Sequence, residues 1–305
     1  MTTLVFGHKS PDTDSTGAPI VWAWWLGTQG TDAAPALLGE PNTEAAFVLD
    51  RWSLDKPRII DDVDADQAVV IVDTNNPAEL PDGVGGADVR QIIDHHKLFG
   101  GIETKGPIDV VIRPYACTVT VMAELMGDAL HSAPEGVRGA ALSCILSDTL
   151  EFRSPTTTPA DRALAETLAE GLGVSIPDYA AEMFAAKSDV SAFSEAELLR
   201  MDSKEFEVDG VSFRVSVLET TSPGQVLSRK DALMAAMPQV AEEDGVQQVL
   251  LFVVDILNEE ATMLIPNPLV KDVAQNSFGA TVEGDAVVLP GVMSRKKQII
   301  PALKL

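Results

Sequence analysis

Four apolar runs in the first half of this chain stop abruptly at clusters of carboxylate and imidazole side chains. That pattern narrows the available folds. Residues 4–6 run into Gly7-His8-Lys9-Ser10-Pro11-Asp12-Thr13-Asp14-Ser15, and residues 69–72 into Asp73-Thr74-Asn75. Residues 91–93 run into Asp94-His95-His96-Lys97, and the helix-like run 140–146 into Ser147-Asp148-Thr149. The β-branched runs at 4–6, 68–72, 89–93 and 109–112 have the length and composition of buried strands. Helical patterns lie between them: Ser15 is placed to cap a helix running to Leu26, and 117–126 and 137–150 predict two more. Strand, loop, helix and strand in repetition predict an α/β fold whose N-terminal sheet is mostly parallel, with helices on both faces. Ligands bind such sheets at the carboxyl ends of the strands, where the first three clusters would converge.

At 305 residues the chain exceeds the usual size of one domain. Residues 159–187 read as wholly helical and 188–194 as a polar break. The expected organisation is an N-terminal domain 1–187, a linker 188–194 and a smaller C-terminal α/β domain 195–305, with the active site in the cleft between them. Strands are expected in the second domain at 206–208, 211–218 and 249–254, with edge strands at 263–265 and 286–289. Helices are expected there at 225–236 and near Val240.

Three of the four histidines fall in these clusters. His131, read as a loop residue, lies outside the pattern and receives no role. Convergence would gather Asp12, Asp14, Asp73, Asp94 and Asp148 with His8, His95 and His96. Carboxylates crowded in this way raise one another's pKa values unless cations compensate them. Mixed His/Asp donors suit Mn, Co, Zn or Fe better than a purely Mg or Ca site. Taken singly, Asp14 or Ser15 reads as a helix cap and Asp73 as a turn residue. Their joint placement favours a metal site.

Charge sets a second constraint. With 46 acidic and 22 basic residues the formal net charge is -24, which argues against a broad nucleic-acid or anionic-membrane face. Against that background Ser294-Arg295-Lys296-Lys297-Gln298 stands out, following the turn signal Leu289-Pro290-Gly291 and therefore expected to be exposed. Alone it reads as a solubilising patch. A phosphate-bearing substrate gives it another use, because guanidinium forks bind phosphate oxygens in pairs. Trp22, Trp24 and Trp25 crowd the first helix and read as packing residues. Cys117 and Cys144, in apolar stretches, read as free thiols of a reducing compartment. The first residues lack a basic leader and the apolar run 18–26 is too short to span a bilayer, so the expected location is the cytoplasm.

These clusters, together with Ser-Asp-Thr-Leu-Glu-Phe-Arg-Ser-Pro-Thr at 147–156, resemble the DHH phosphoesterase superfamily. More narrowly they are similar to the manganese-dependent family II inorganic pyrophosphatases. The resemblance implies hydrolysis of pyrophosphate to two phosphates by a hydroxide bridging two metals. It implies that His8, Asp12 and Asp73 hold one ion and that Asp14, Asp73, His95 and Asp148 hold the other, Asp73 bridging. Asp94 would orient the histidines, and His96 would lie beside the substrate as a donor of a proton or hydrogen bond. The Lys-Glu-Phe segment and the Ser-Arg-Lys-Lys-Gln segment are similar to substrate-binding motifs, which points to Lys204, Arg295 and Lys296. Two Mn ions per subunit, with Co or Mg as alternatives, a further Mg arriving with substrate, a DHHA2-type second domain and a homodimer through the N-terminal domain are also implied. Thr74 departs from the pattern, since many members carry histidine there. The chain is also too short for the regulatory nucleotide-binding insert of some relatives. Two other readings stand beside this one. An exopolyphosphatase or oligonucleotide phosphodiesterase of the same superfamily would often carry a glycine-rich, histidine-containing C-terminal motif, which has no match here. A non-catalytic metal- or nucleotide-binding regulator would be expected to have lost ligands, yet every expected position is filled.

Overall fold

Strand Ala68–Val72 is buried at every residue, and its valines and isoleucine suit a position inside a sheet covered on both sides. The computed structural model, which describes residues 2–305, forms two compact units, Met1–Ala186 and Lys187–Leu305. The first comprises β1 (Thr3–Phe6), α1 (Thr13–Thr28), β2 (Ala33–Leu37), α2 (Thr43–Arg51), β3 (Arg58–Ile59), β4 (Ala68–Val72), β5 (Asp88–Asp94) and β6 (Asp109–Ile112). Four helices complete it: α3 (Thr118–Met126), α4 (Glu135–Asp148), α5 (Pro159–Leu172) and α6 (Ile176–Lys187).

Its six strands form one sheet in the order β3-β2-β1-β4-β5-β6, every neighbouring pair parallel. The chain moves outward in one direction from β1 and in the other from β4, so the topology reverses between these two central strands. Doubly wound sheets bind ligands at that reversal, beyond the strands' carboxyl ends. His8 follows β1 and Asp73 follows β4. Leu4 and Phe6 of β1, Ile71 of β4 and Ile92 of β5 share a buried core with Leu80 and Val84, while α1 packs along β1, β2 and β4 and against α4.

The structure corrects several local expectations. Helix α1 begins at Thr13 because Asp12, not Ser15, is its N-cap, accepting the Ser15 N–H at 2.9 Å. The helical stretch after Pro159 is two helices, separated at Gly173, whose φ of 67° closes α5 in the left-handed conformation. Strands β2 and β3 and helix α2 were not anticipated. The Ala-Ala-Pro-Ala-Leu of β2 lacks the β-branched residues that mark a strand. His131 lies in a short 3-10 helix, Gly127–Ser132.

The second unit contains α7 (Glu195–Met201), β7 (Ser203–Val208), β8 (Val211–Thr220), α8 (Pro223–Leu227), α9 (Lys230–Glu243), β9 (Gln248–Asp255), β10 (Glu260–Leu264), α10 (Pro268–Phe278), β11 (Ala286–Pro290) and α11 (Ile300–Ala302). Its five strands follow the order β11-β10-β9-β8-β7, parallel at β8–β9 and antiparallel elsewhere. The helix expected over 225–236 divides at Ser228 and Arg229, and α9 continues through Pro238 to include Val240. β10, expected at an edge, lies between β9 and β11. Helix α10, introduced by the Asn267 cap and Pro268, was missed. No helix among the described residues is long and apolar enough to cross a membrane.

Candidate metal centre

Three strand ends and two helix ends deliver the acidic and imidazole groups of the first unit to one place. His8 leaves β1, and Asp12 and Asp14 sit at the start of α1. Asp73 leaves β4, Asp94 to His96 leave β5, and Asp148 ends α4. Donor atoms of His8, Asp12 and Asp73 lie within 4.8 Å of one another, as do those of Asp73, His95 and His96, and those of Asp14, Cys117 and Asp148. Asp73 belongs to two of these groups. Its φ of 58° places a buried, non-glycine residue in the left-handed region, where strain commonly marks a functional position.

Both central histidines are aimed by their second nitrogen. Nδ1 of His8 lies 2.8 Å from the Lys9 carbonyl and Nδ1 of His95 lies 3.3 Å from the Tyr115 carbonyl. A carbonyl can only accept, so each Nδ1 donates and each Nε2 is presented to the carboxylates. Nε2 of His8 stands 3.6 Å from Asp12 and 3.5 Å from Asp73, and Nε2 of His95 stands 3.4 Å from Asp73. Such separations are long for hydrogen bonds but suit two donors sharing an ion at roughly 2.0–2.2 Å from each.

Electrostatics gives the same fit. Asp73 and Asp14 are almost wholly buried, and Oδ1 of Asp14, Oδ2 of Asp73 and Oδ2 of Asp148 accept no hydrogen bond. Burial, then the charges of Asp14 and Asp12, push Asp73 well above the ordinary carboxylate range. Asp148 is pushed up by burial and then by Asp14 and Asp73. Burial works against charge on His8, yet Asp12, Asp73 and the Lys9 carbonyl together raise its pKa from 6.5 to about 9. Divalent cations would relieve all of these at once. The donors present therefore fit a metal ion, and their His/Asp chemistry fits manganese.

Asp94 has a different office. Fully buried, it accepts from the backbone N–H of His95 (2.7 Å) and His96 (3.0 Å), from the Asn75 amide, and lies 2.9 Å from Nδ1 of His96. The Asp94 hydrogen bond raises the His96 pKa above its ordinary value despite partial burial. Thr74 donates to Glu79 at 2.6 Å. Together with Asn75 and Phe99 it lines a cavity of about 340 Å³ beside His8 and His96.

Sequence reasoning missed Thr118. Its N–H donates to Asp14 at 2.8 Å and its hydroxyl to Asp73 at 3.1 Å. A threonine opening a helix is too common to signal this. It also missed Glu44, whose only mark is the Asn-Thr-Glu start of α2. Cys117 and Cys144 are free and buried, and burial raises both thiols.

In the second unit Lys204, Phe206, Arg295, Lys296 and Ile300 line a cavity of about 350 Å³. Arg295 and Lys296 lie on a π-helical turn, Arg295–Ile299, capped by Ser294. The Gln298 side chain folds back onto the N–H groups of Met293 and Ser294, both at 2.9 Å. Lys296 and Lys297 are exposed as expected. The Arg295 side chain is only 18% exposed and pairs with Asp202 at 2.7 Å, which corrects the expectation of a free basic patch.

Comparison with known proteins adds an independent line. The DHH family, N-terminal domain, matches residues 2–147, and the DHHA2 domain matches residues 181–305. A Deinococcus radiodurans protein named probable manganese-dependent inorganic pyrophosphatase is 42% identical over 305 residues, covering 98% of this chain and 97% of that one. A Lactobacillus acidophilus protein of the same name is 32% identical over 302 residues, with 98% and 97% covered. The crystal structure of a Methanococcus jannaschii protein named putative family II inorganic pyrophosphatase superposes with a TM-score of 0.63 at 33% identity, covering 99% of this chain and 98% of that one. An exopolyphosphatase-related protein from Bacteroides fragilis shares the fold, with a TM-score of 0.52 at 13% identity.

Proposed function

This chain belongs to the family of manganese-dependent inorganic pyrophosphatases, and from that premise we propose that it hydrolyses pyrophosphate to two phosphates. One observation carries the reading: buried carboxylate oxygens of Asp14, Asp73 and Asp148 lack hydrogen-bond partners, and Asp73, at the topological reversal of the sheet, faces imidazole nitrogens of His8 and His95 whose far side is already tied down.

His8, Asp12 and Asp73 would hold one ion and Asp14, Asp73, His95 and Asp148 a second, with a further Mg arriving with substrate. Co or Mg are alternatives at the two resident positions. Bound manganese supplies the charge neutralisation and water activation that anhydride hydrolysis needs near neutral pH. The chain's own residues do the rest. Lys9 and Tyr115 carbonyls keep Nε2 of His8 and His95 turned inward, and Asp94 keeps a proton on His96, which donates it toward the leaving oxygen. Lys204, Arg295 and Lys296 bind terminal phosphate oxygens and absorb the charge that develops on the departing phosphate. Their shared cavity supports that role. In this division residues 1–187 carry the metals, 188–194 are the linker and 195–305 bind substrate.

The protein acts as a homodimer through the N-terminal domain, in the cytoplasm, and takes no nucleic acid. Edge strand β6, with Val110 49% exposed, supports the first point, and free buried cysteines the second. The net charge of -24 supports the third. Phosphate release from pyrophosphate, with Mn and with chelator, tests the proposal beside longer polyphosphates and oligonucleotides. Mn-stimulated release greatest for pyrophosphate is expected. Preference for either longer substrate, or no Mn stimulation, would remove it.

A further inference from the structure

Glu44 is wholly buried, and charged side chains are seldom buried without a specific task. It lies in the first turn of α2, where the helix dipole favours a negative charge. A single oxygen, Oε2, accepts the hydroxyl of Thr13 at 2.7 Å and the hydroxyl of Ser147 at 2.6 Å. Thr13 stands between Asp12 and Asp14 at the start of α1, and Ser147 immediately precedes Asp148 at the end of α4. One carboxylate oxygen therefore clamps the helix end that carries Asp14 to the helix end that carries Asp148. From the other side, the Thr118 N–H holds Asp14 at 2.8 Å. Asn42 adds a parallel tether, its N–H donating to the Pro11 carbonyl at 3.0 Å while its side chain caps α2.

We propose that Glu44 is a positioning residue that sets the separation of Asp14 from Asp148, and thereby the affinity of the ion they would share, without touching ion or substrate. The inference rests on the two-metal reading above. Its effect is local to that one ion. His8 and Asp12 of the other ion have their own anchors, the His8 N–H donating to Ser15 Oγ at 2.7 Å and the Ser15 N–H to Asp12 at 2.9 Å. Removing a group that orients a metal ligand typically weakens the metal by about 10–100-fold.

The test titrates Mn into chelator-stripped full-length protein, wild type against Glu44→Met, Thr13→Val and Ser147→Ala, followed by calorimetry or by the spin-resonance signal of free Mn. Wild type should bind two ions per chain and hydrolyse pyrophosphate. In Glu44→Met, which keeps the length of the side chain and removes the acceptor oxygen, one ion should bind as in wild type and the other about 10-fold or more weakly. At saturating Mn, kcat should recover and KM should be unchanged. Thr13→Val and Ser147→Ala should each reproduce part of the selective weakening, and they carry the test alone if Glu44→Met does not fold. Equal weakening of both ions, or unaltered binding with only a lowered melting temperature, overturns the proposal by reducing Glu44 to a structural role. A wild-type protein that binds no Mn or leaves pyrophosphate intact overturns the underlying function, a different failure seen before any variant is made.

Discussion

The acidic cluster of the first unit and the basic pocket of the second carry opposite charge, and they manage it by opposite means. In the cluster, like charges are buried together, carboxylate oxygens lack hydrogen-bond partners, and Asp73 sits on left-handed backbone. In the pocket, Lys204 and Lys296 reach solvent and Arg295 already has a carboxylate partner in Asp202. The first arrangement is electrostatically incomplete until cations enter. In the second, only Arg295 is shown paired, and an incoming anion would have to displace Asp202 from it. Buried like charges favour a bound cation, whereas ion pairs open to solvent are weak and exchange partners readily.

That contrast breaks most easily at Asp73. Asn tolerates the left-handed backbone, so Asp73→Asn should fold, yet it removes the charge shared by two donor groups. Turnover should fall by more than the roughly 10²–10³-fold that one charge-stabilising donor is worth. Near-normal phosphate release from the folded variant would end the bridging assignment. In the pocket, Arg295→Lys keeps the charge and loses the fork. It should cost about 10²-fold in kcat/KM while Mn binding stays unchanged, since a guanidinium donates and does not ligate a cation. A loss of Mn binding there would erase the distinction between the two regions.

Metal removal sharpens the same contrast through stability. Mn at about 100 times its Kd should add about 2.7 kcal/mol per bound ion to the first unit and nothing to the second, read by calorimetry with and without chelator. The metal-free protein should also respond to pH. Asp73 and Asp148 have folded pKa values raised above the ordinary 3.8. Their contribution is therefore fully present below about 3.8 and is lost as pH rises toward the raised values. Saturating Mn should flatten that slope, and an unchanged slope would mean that these carboxylates are not where the ion binds.

How much of this could be read in advance depended on burial. β4 announced itself because five consecutive apolar, mostly β-branched residues end directly in Asp73. The histidine and aspartate clusters were legible for the same reason, each interrupting a hydrophobic run. β2 gave no such sign, being alanine-rich with a proline and half-exposed along part of its length. Glu44 and Thr118 were invisible for a different cause. Both occupy ordinary helix-start positions, and only their distant partners, Ser147 and Asp73, distinguish them from routine first-turn residues. Arg295 was found by charge contrast, but its pairing with Asp202, 93 positions earlier, leaves no local trace.

The smallest effect tests how Asp94 serves the cluster without joining it. Asp94 holds the His96 ring at 2.9 Å and raises its pKa, so His96 keeps its proton to higher pH than an ordinary imidazole. If that proton is donated during turnover, activity falls as pH rises through the His96 pKa. Asp94→Asn retains an oxygen for the N–H groups of His95 and His96 but removes the charge that favours the imidazolium. The alkaline limb of kcat should then move to lower pH, toward the ordinary value of 6.5. A displacement of about one pH unit corresponds to about 1.4 kcal/mol of lost interaction between the two side chains. His96→Gln should abolish the limb altogether. A limb that stays in place in both variants would assign the titration to another group, and the His96–Asp94 pair would then orient the loop after β5 without handling a proton.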